Sequence, residues 1–138
     1  LAEEIKAFAA ALKEAGGRAV PLKVKGGFHS PFMKEAAAAF ENELASVELQ
    51  ALKLPVYANF NGEAYGDDVA QTLSQQMASP VRWETSVRNM IAAGVDTFIE
   101  IGPGDTLCGM IKRIDPSVRR YTTNNMEELA KILDEVKA

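Results

Sequence analysis

This sequence is poor in the residue types that most often hold metals or make cross-links: it has one cysteine, Cys108, and one histidine, His29. A lone cysteine excludes an intramolecular disulfide framework and a Cys-based zinc site. Carboxylates alone would have to hold a metal, and no calcium-loop spacing is present. No apolar run approaches the roughly 18 to 20 residues that a membrane helix needs. Lys and Arg form no run or stripe, and the net charge is −4, so nucleic-acid binding has no electrostatic footing. The N-terminus, Leu1-Ala2-Glu3-Glu4, is acidic and lacks the pattern of a signal peptide. It also lacks a starting Met, which points to a piece of a longer protein. Cytoplasm is the expected setting.

What the chain does have is an apolar share of 47% over 138 residues, enough for one hydrophobic core. Apolar spacing predicts a helix over residues 1–15, carrying Leu1, Ile5, Phe8 and Leu12 and stopped by Gly16-Gly17. Residues 19–25 alternate and read as a half-buried strand, with Pro21 placing it near an edge or a strand start. Ser30-Pro31 is a helix start, followed by Met33, Ala37, Phe40 and Leu44 at helical spacing. Residues 54–60 read as a short strand ending at the turn pair Asn61-Gly62. Asp67 or Asp68 caps a helix bearing Val69, Leu73 and Met77. Ser79-Pro80 repeats the start signal ahead of Trp83, Val87 and Met90, and Gly94 ends that helix. A buried strand over 95–101 turns at Gly102-Pro103-Gly104 into a helix with Leu107, Met110, Ile111 and Ile114. A short strand over 118–122 leads to a last helix, capped by Asn124 or Asn125, with Leu129, Ile132, Leu133 and Val136 inward. Strands alternating with helices predict an α/β architecture with a mainly parallel sheet.

His29 lies in the loop between the strand over 19–25 and the helix begun by Ser30-Pro31, where α/β proteins gather ligands. A neutral imidazole in such a loop can serve as a general base near pH 7, although a lone loop histidine is more often simply solvated. Gly26 and Gly27 give the backbone room for close approach. Gly102-Pro103-Gly104 lacks both the dinucleotide-binding and the phosphate-loop spacing, and reads as a tight turn that seats a helix.

Four collinear segments carry a resemblance. Gly27-Phe28-His29-Ser30-Pro31-Phe32-Met33 resembles the histidine motif of malonyl-CoA:acyl-carrier-protein transacylases and of the acyltransferase domains in fatty-acid and polyketide synthases. Leu54 to Asn59 with Asn61-Gly62, Gln76 to Trp83, and Glu100-Ile101-Gly102-Pro103-Gly104 with Leu107 resemble three further segments of that family in the same order. The resemblance implies a ping-pong transfer in which a serine takes the malonyl group from coenzyme A and passes it to the phosphopantetheine thiol of acyl carrier protein, in fatty-acid biosynthesis. His29 matches the catalytic histidine. Gln76 matches the position whose backbone carbonyl accepts from that ring. Phe28 matches a residue beside the substrate's α-carbon, where a phenyl ring would act as a size filter. Malonyl-CoA is then substrate, and no cofactor or metal is implied.

The departures are as informative. No serine here sits in the family's Gly-x-Ser-x-Gly elbow, and the arginine and oxyanion-hole segments of its N-terminal part have no counterpart. The resemblance therefore implies a C-terminal half. Residues 1–25 would be the closing helix and strand of a ferredoxin-like small subdomain, and residues 26–138 the C-terminal part of a hydrolase-like large subdomain. Its expected partners are the missing N-terminal half, acyl carrier protein and malonyl-CoA, and the chain alone is expected to be inactive. Two alternatives stand beside this reading. One is an excised part of a polyketide-synthase acyltransferase domain. The other is a non-enzymatic α/β binding module, which would have a closed sheet and a His29 far from any cleft.

Overall fold

A computed structural model describes residues 2–21 and 24–137, the side chains of Ala2 and Lys137 excepted. Among the described residues six α-helices and two strands follow one another: α1 (Ala2–Glu14), α2 (Lys34–Leu44), α3 (Val69–Ala78), α4 (Trp83–Ala92), β1 (Thr97–Ile101), α5 (Thr106–Ile114), β2 (Arg119–Thr123) and α6 (Met126–Lys137). A short 3-10 turn, Pro31–Met33, leads into α2. β1 and β2 pair in parallel, in register from Thr97 opposite Arg119 to Ile101 opposite Thr123, with α5 as the crossover between them. This is an α/β fold with a parallel sheet, as the alternation of elements predicts.

The core lies between the sheet and the helices beside it. Val87 of α4, Ile111 of α5 and Val118 before β2 are buried together, and Trp83, Ile91, Phe98 and Ile114 pack around them. Trp83, Val87 and Ile91 recur at helical spacing in α4, as Ile111 and Ile114 do in α5. Cys108 is buried and donates from Sγ to the Tyr121 carbonyl at 3.2 Å. Burial pushes its thiol up, which keeps it protonated and unreactive. A second centre joins α2 to α3 and the 3-10 turn. There Ala37 and Leu44 are buried, and the small Ser74 lets the two helices approach.

Helix ends follow from their sequences. Gly94, at φ 97°, closes α4: its N–H reaches the Ile91 carbonyl and the Val95 N–H reaches Met90, the paired bonds of a Schellman cap. Gly16 and Gly17 close α1 the same way on Lys13 and Leu12. Of the two aspartates before α3, Asp68 is the cap, taking the Gln71 N–H at 2.9 Å. Asn125 caps α6 on the Glu128 N–H at 2.9 Å, and the Glu128 carboxylate returns to the Asn124 N–H at 2.8 Å.

Four expectations need correction. The strand expected to be buried over 95–101 is half-buried, with Ile101 at its end exposed. The Ser79-Pro80 pair does not start α4. Ser79 is instead the extended residue that ends α3, and α4 begins at Trp83. The strand expected over 54–60 is reduced to one antiparallel bridge, Tyr57 with Ala64. The strand expected over 19–25 does not form among its described residues, where Val20 and Val24 stand exposed; Leu22 and Lys23 lie outside the described residues. Alternation supplies a strand's two faces, but a strand also needs a neighbour to take its N–H and C=O groups, and among the described residues none adjoins those of 19–25.

Candidate functional site

The loop before α2 holds His29 in an unusual backbone conformation. Its φ is 57°, the one positive value among the described non-glycine residues. That left-handed state costs about 1–2 kcal/mol for a residue with a Cβ, and such strain gathers at functional sites. Gly26 and Gly27 precede His29, and Ser30, ahead of a proline, is extended at φ −140° and ψ 169°. The Ser30 hydroxyl donates back to the Gly27 carbonyl, closing the loop on itself.

The strained loop aims the imidazole at the end of α3. Nδ1 of His29 lies 2.9 Å from the backbone oxygen of Gln76. A carbonyl only accepts, so Nδ1 is the donor, and Nε2 of the neutral ring carries the lone pair. His29 is exposed, so this lone pair is open to a reactant. Sequence and structure thus bring together the two residues of the resemblance, and it is the main chain of Gln76 that makes the contact.

The side chain of Gln76 does separate work. Its Oε1 accepts from the Asn59 N–H at 2.8 Å, and its Nε2 donates to the Tyr65 hydroxyl at 2.8 Å. Asn59 in turn accepts from the Arg82 N–H at 2.7 Å, and Arg82 Nε donates to the Phe60 carbonyl at 3.0 Å. The turn over 57–65 is thereby tied to both ends of the stretch from Gln76 to Arg82. Asn59 and Tyr65 were not among the expected site residues. The segments that contain Asn59 and Gln76 are conspicuous in the sequence, but nothing in their spacing says that they touch.

Phe28, the expected substrate-binding residue, is 61% exposed, its ring folded back toward Gly26. No wall of a substrate pocket surrounds it among the described residues. The Gly102-Pro103-Gly104 turn is a helix seat. Gly104 donates to Asn124 Oδ1 at 3.0 Å, while the Glu100 carboxylate takes the Leu107 and Cys108 N–H groups at 3.1 and 2.8 Å. Those are the amides at the head of α5 that a phosphate would need, so an anion of the chain's own already fills the place. Among the described residues no three His, Cys, Asp or Glu side chains gather as a metal would require. None of the described helices is long and apolar enough to cross a membrane.

The bonds to Glu100 have a consequence for acid stability. The Cys108 and Leu107 amides hold its carboxyl below the usual glutamate range. A depressed folded value means stability that is present at neutral pH and is lost as pH falls through that value. Glu100→Gln keeps one acceptor oxygen and loses the charge. We expect its thermal midpoint to lie below wild type at pH 7, and the gap to close on acidification below the normal glutamate range. A gap that stays constant with pH would show that the charge on Glu100 is immaterial.

No family model matches the chain. It is 36% identical over 128 residues to the malonyl CoA-acyl carrier protein transacylase of Bacillus subtilis, an alignment that covers 91% of this chain and 40% of that protein. The crystal structure of malonyl CoA-acyl carrier protein transacylase from Clostridium perfringens superposes with a TM-score of 0.85 at 36% identity, over 96% of this chain and 43% of that one. A malonyl transacylase solved in complex with a type II polyketide-synthase acyl-carrier protein superposes with a TM-score of 0.88 at 31% identity, over 96% of this chain and 44% of that one. The chain therefore spans about two fifths of the length of the relatives it matches, a share that fits the C-terminal half expected from the order of its motifs.

Proposed function

Since the chain belongs to the malonyl-CoA:acyl-carrier-protein transacylase family, we propose that it supplies the base half of a malonyl-transfer site whose serine lies in residues outside it. His29 Nε2 takes the proton of that serine as its Oγ attacks the thioester carbonyl of malonyl-CoA. The C–S bond breaks, and the coenzyme A thiolate leaves with the proton returned by the imidazolium. In the second half, the phosphopantetheine thiol of acyl carrier protein gives its proton to Nε2 and attacks the malonyl ester; the C–O bond breaks, and the imidazolium returns the proton to the serine Oγ. The malonyl unit then enters fatty-acid biosynthesis.

One observation carries this reading: the 2.9 Å bond from Nδ1 of His29 to the Gln76 carbonyl. A serine hydroxyl is a weak nucleophile at neutral pH and needs an oriented base. A backbone carbonyl orients the ring as the carboxylate does in a Ser-His-Asp triad, without adding a charge. The role of Phe28 as a size filter beside the malonyl α-carbon belongs to the same proposal. So does the division into residues 1–25, as the end of a small ferredoxin-like subdomain, and 26–138, as part of the large one.

The surface supports a partner segment. Ile5 and Phe8 on α1, Leu54, and Ile101 at the end of β1 are each more than 60% exposed. Large exposed apolar side chains mark contact surfaces, and the N-terminal half would cover these. The test is reconstitution. The chain is joined, in cis or in trans, to a family segment that carries the Gly-x-Ser-x-Gly serine, and malonylation of acyl carrier protein by malonyl-CoA is followed by intact mass. The assembled protein is expected to transfer the malonyl group and the chain alone is not. Transfer by the chain alone, or none by a folded assembly, would sink the proposal.

A further inference from the structure

We propose that Pro80 is a positioning residue for His29, acting by withholding the amide that would otherwise claim the Gln76 carbonyl. The inference deepens the reading of His29 as the base and rests on it for its catalytic consequence.

In an α-helix the N–H of residue i+4 bonds the carbonyl of residue i. For Gln76 that donor would come from position 80, which is proline and has no N–H. Proline also disfavours a helical conformation in the residue before it. Ser79 accordingly is extended, at φ −117° and ψ 148°, and α3 stops at Ala78. Both effects leave the Gln76 oxygen without a helical partner, and His29 Nδ1 occupies it at 2.9 Å.

The carbonyl is also held in place from outside the helix. The Gln76 side chain bonds the Asn59 N–H and the Tyr65 hydroxyl, both at 2.8 Å. Beyond the proline, the Arg82 N–H bonds the Asn59 carbonyl at 2.7 Å. Gln76 and Arg82 are therefore pinned to one residue of the neighbouring turn, with the break in the helix between them. Within this frame the four-residue spacing from Gln76 to Pro80 has a mechanical sense: the helix must end with that one oxygen unpaired and fixed. An alanine at position 80 brings a competing N–H and lets α3 extend.

The chain has a single histidine, which makes the ring directly observable. With 15N-labelled histidine, the two imidazole nitrogens of the wild-type chain are expected to report the Nδ1-protonated neutral tautomer. In a Pro80→Ala chain that still unfolds cooperatively in urea, we expect that tautomer to lose its dominance and both ring resonances to move toward each other. Pro80→Gly, which restores the N–H but resists helix extension, gives an intermediate shift and serves as the readout should the alanine variant not fold. In the reconstituted enzyme, Pro80→Ala lowers kcat by up to about a hundredfold through misplacement of the base, with KM for malonyl-CoA little changed. Ring resonances that stay at their wild-type positions in a folded Pro80→Ala or Pro80→Gly chain overturn the proposal. Resonances that move while transfer stays at the wild-type rate overturn instead the role of His29 as base, and leave the placement by Pro80 standing.

Discussion

His29→Ala is expected to cut malonyl transfer by the assembled enzyme about 10²–10⁴-fold, the usual worth of a positioned general base. The fold is expected to survive. His29 is exposed and gives up one hydrogen bond, to the Gln76 carbonyl, which is worth about 1 kcal/mol net. Its replacement also relieves none of the loop's other ties, since Ser30 still bonds the Gly27 carbonyl and the Phe32 N–H. The loss should therefore appear in kcat, with circular dichroism and the urea midpoint close to wild type. Initial rates of carrier malonylation at saturating malonyl-CoA measure it. Wild-type rates in the alanine protein would remove the imidazole from the reaction.

The second large effect falls on stability. Gly62→Ala is expected to destabilise the chain by about 2–5 kcal/mol, from two independent penalties. Gly62 has φ 77°, where a residue with a Cβ loses about 1–2 kcal/mol. An added Cβ would also lie 2.7 Å from Thr85 Cγ2, 2.8 Å from Thr85 Cβ and 3.0 Å from the Ser86 nitrogen. The last two belong to the first turns of α4 and cannot swing aside, and overpacking of this kind costs about 1–3 kcal/mol. Against a typical total of about 5–15 kcal/mol, that is a large fraction. The urea midpoint measures it, and a midpoint equal to wild type would refute the packing argument. The Asn89 side chain, which donates to the Gly62 carbonyl at 2.9 Å, is then expected to lose its partner as the turn is pushed away from α4.

Much of this was legible in the sequence, where periodic apolar residues and their punctuation coincide. The helices bearing Val87, Ile111 and Ile132 form as their spacing predicts, and the parallel pair β1–β2 flanks the helix that must link it. Legibility fails where structure depends on a partner. Residues 19–25 have the alternation of a strand but no neighbouring strand among the described residues. Residues 54–60 meet only the short segment 63–65, which bonds Val56 and Ala58 and allows a single bridge. The Ser79-Pro80 pair misled because serine before proline suits two situations, the head of one helix and the tail of another. Here the extended backbone of Ser79 serves the tail. At the site, His29 and Gln76 were visible as motif positions, and the contact between them was an expectation that the geometry meets. The brace of Asn59 and Tyr65 was not visible, because sequence patterns carry no record of main-chain donors 17 residues away from the side chain they meet.

The choice of a main-chain oxygen to steer the imidazole has an evolutionary corollary. An aspartate in that place could be deleted by a single codon change, as could its charge. The Gln76 carbonyl survives every substitution at its own position, so the ring's anchor is resistant to mutation there. It remains vulnerable only to changes that redirect the backbone. A side-chain scan would thus rank the anchoring position by the brace it makes to Asn59 and Tyr65, and would miss the contact that matters most to the chemistry.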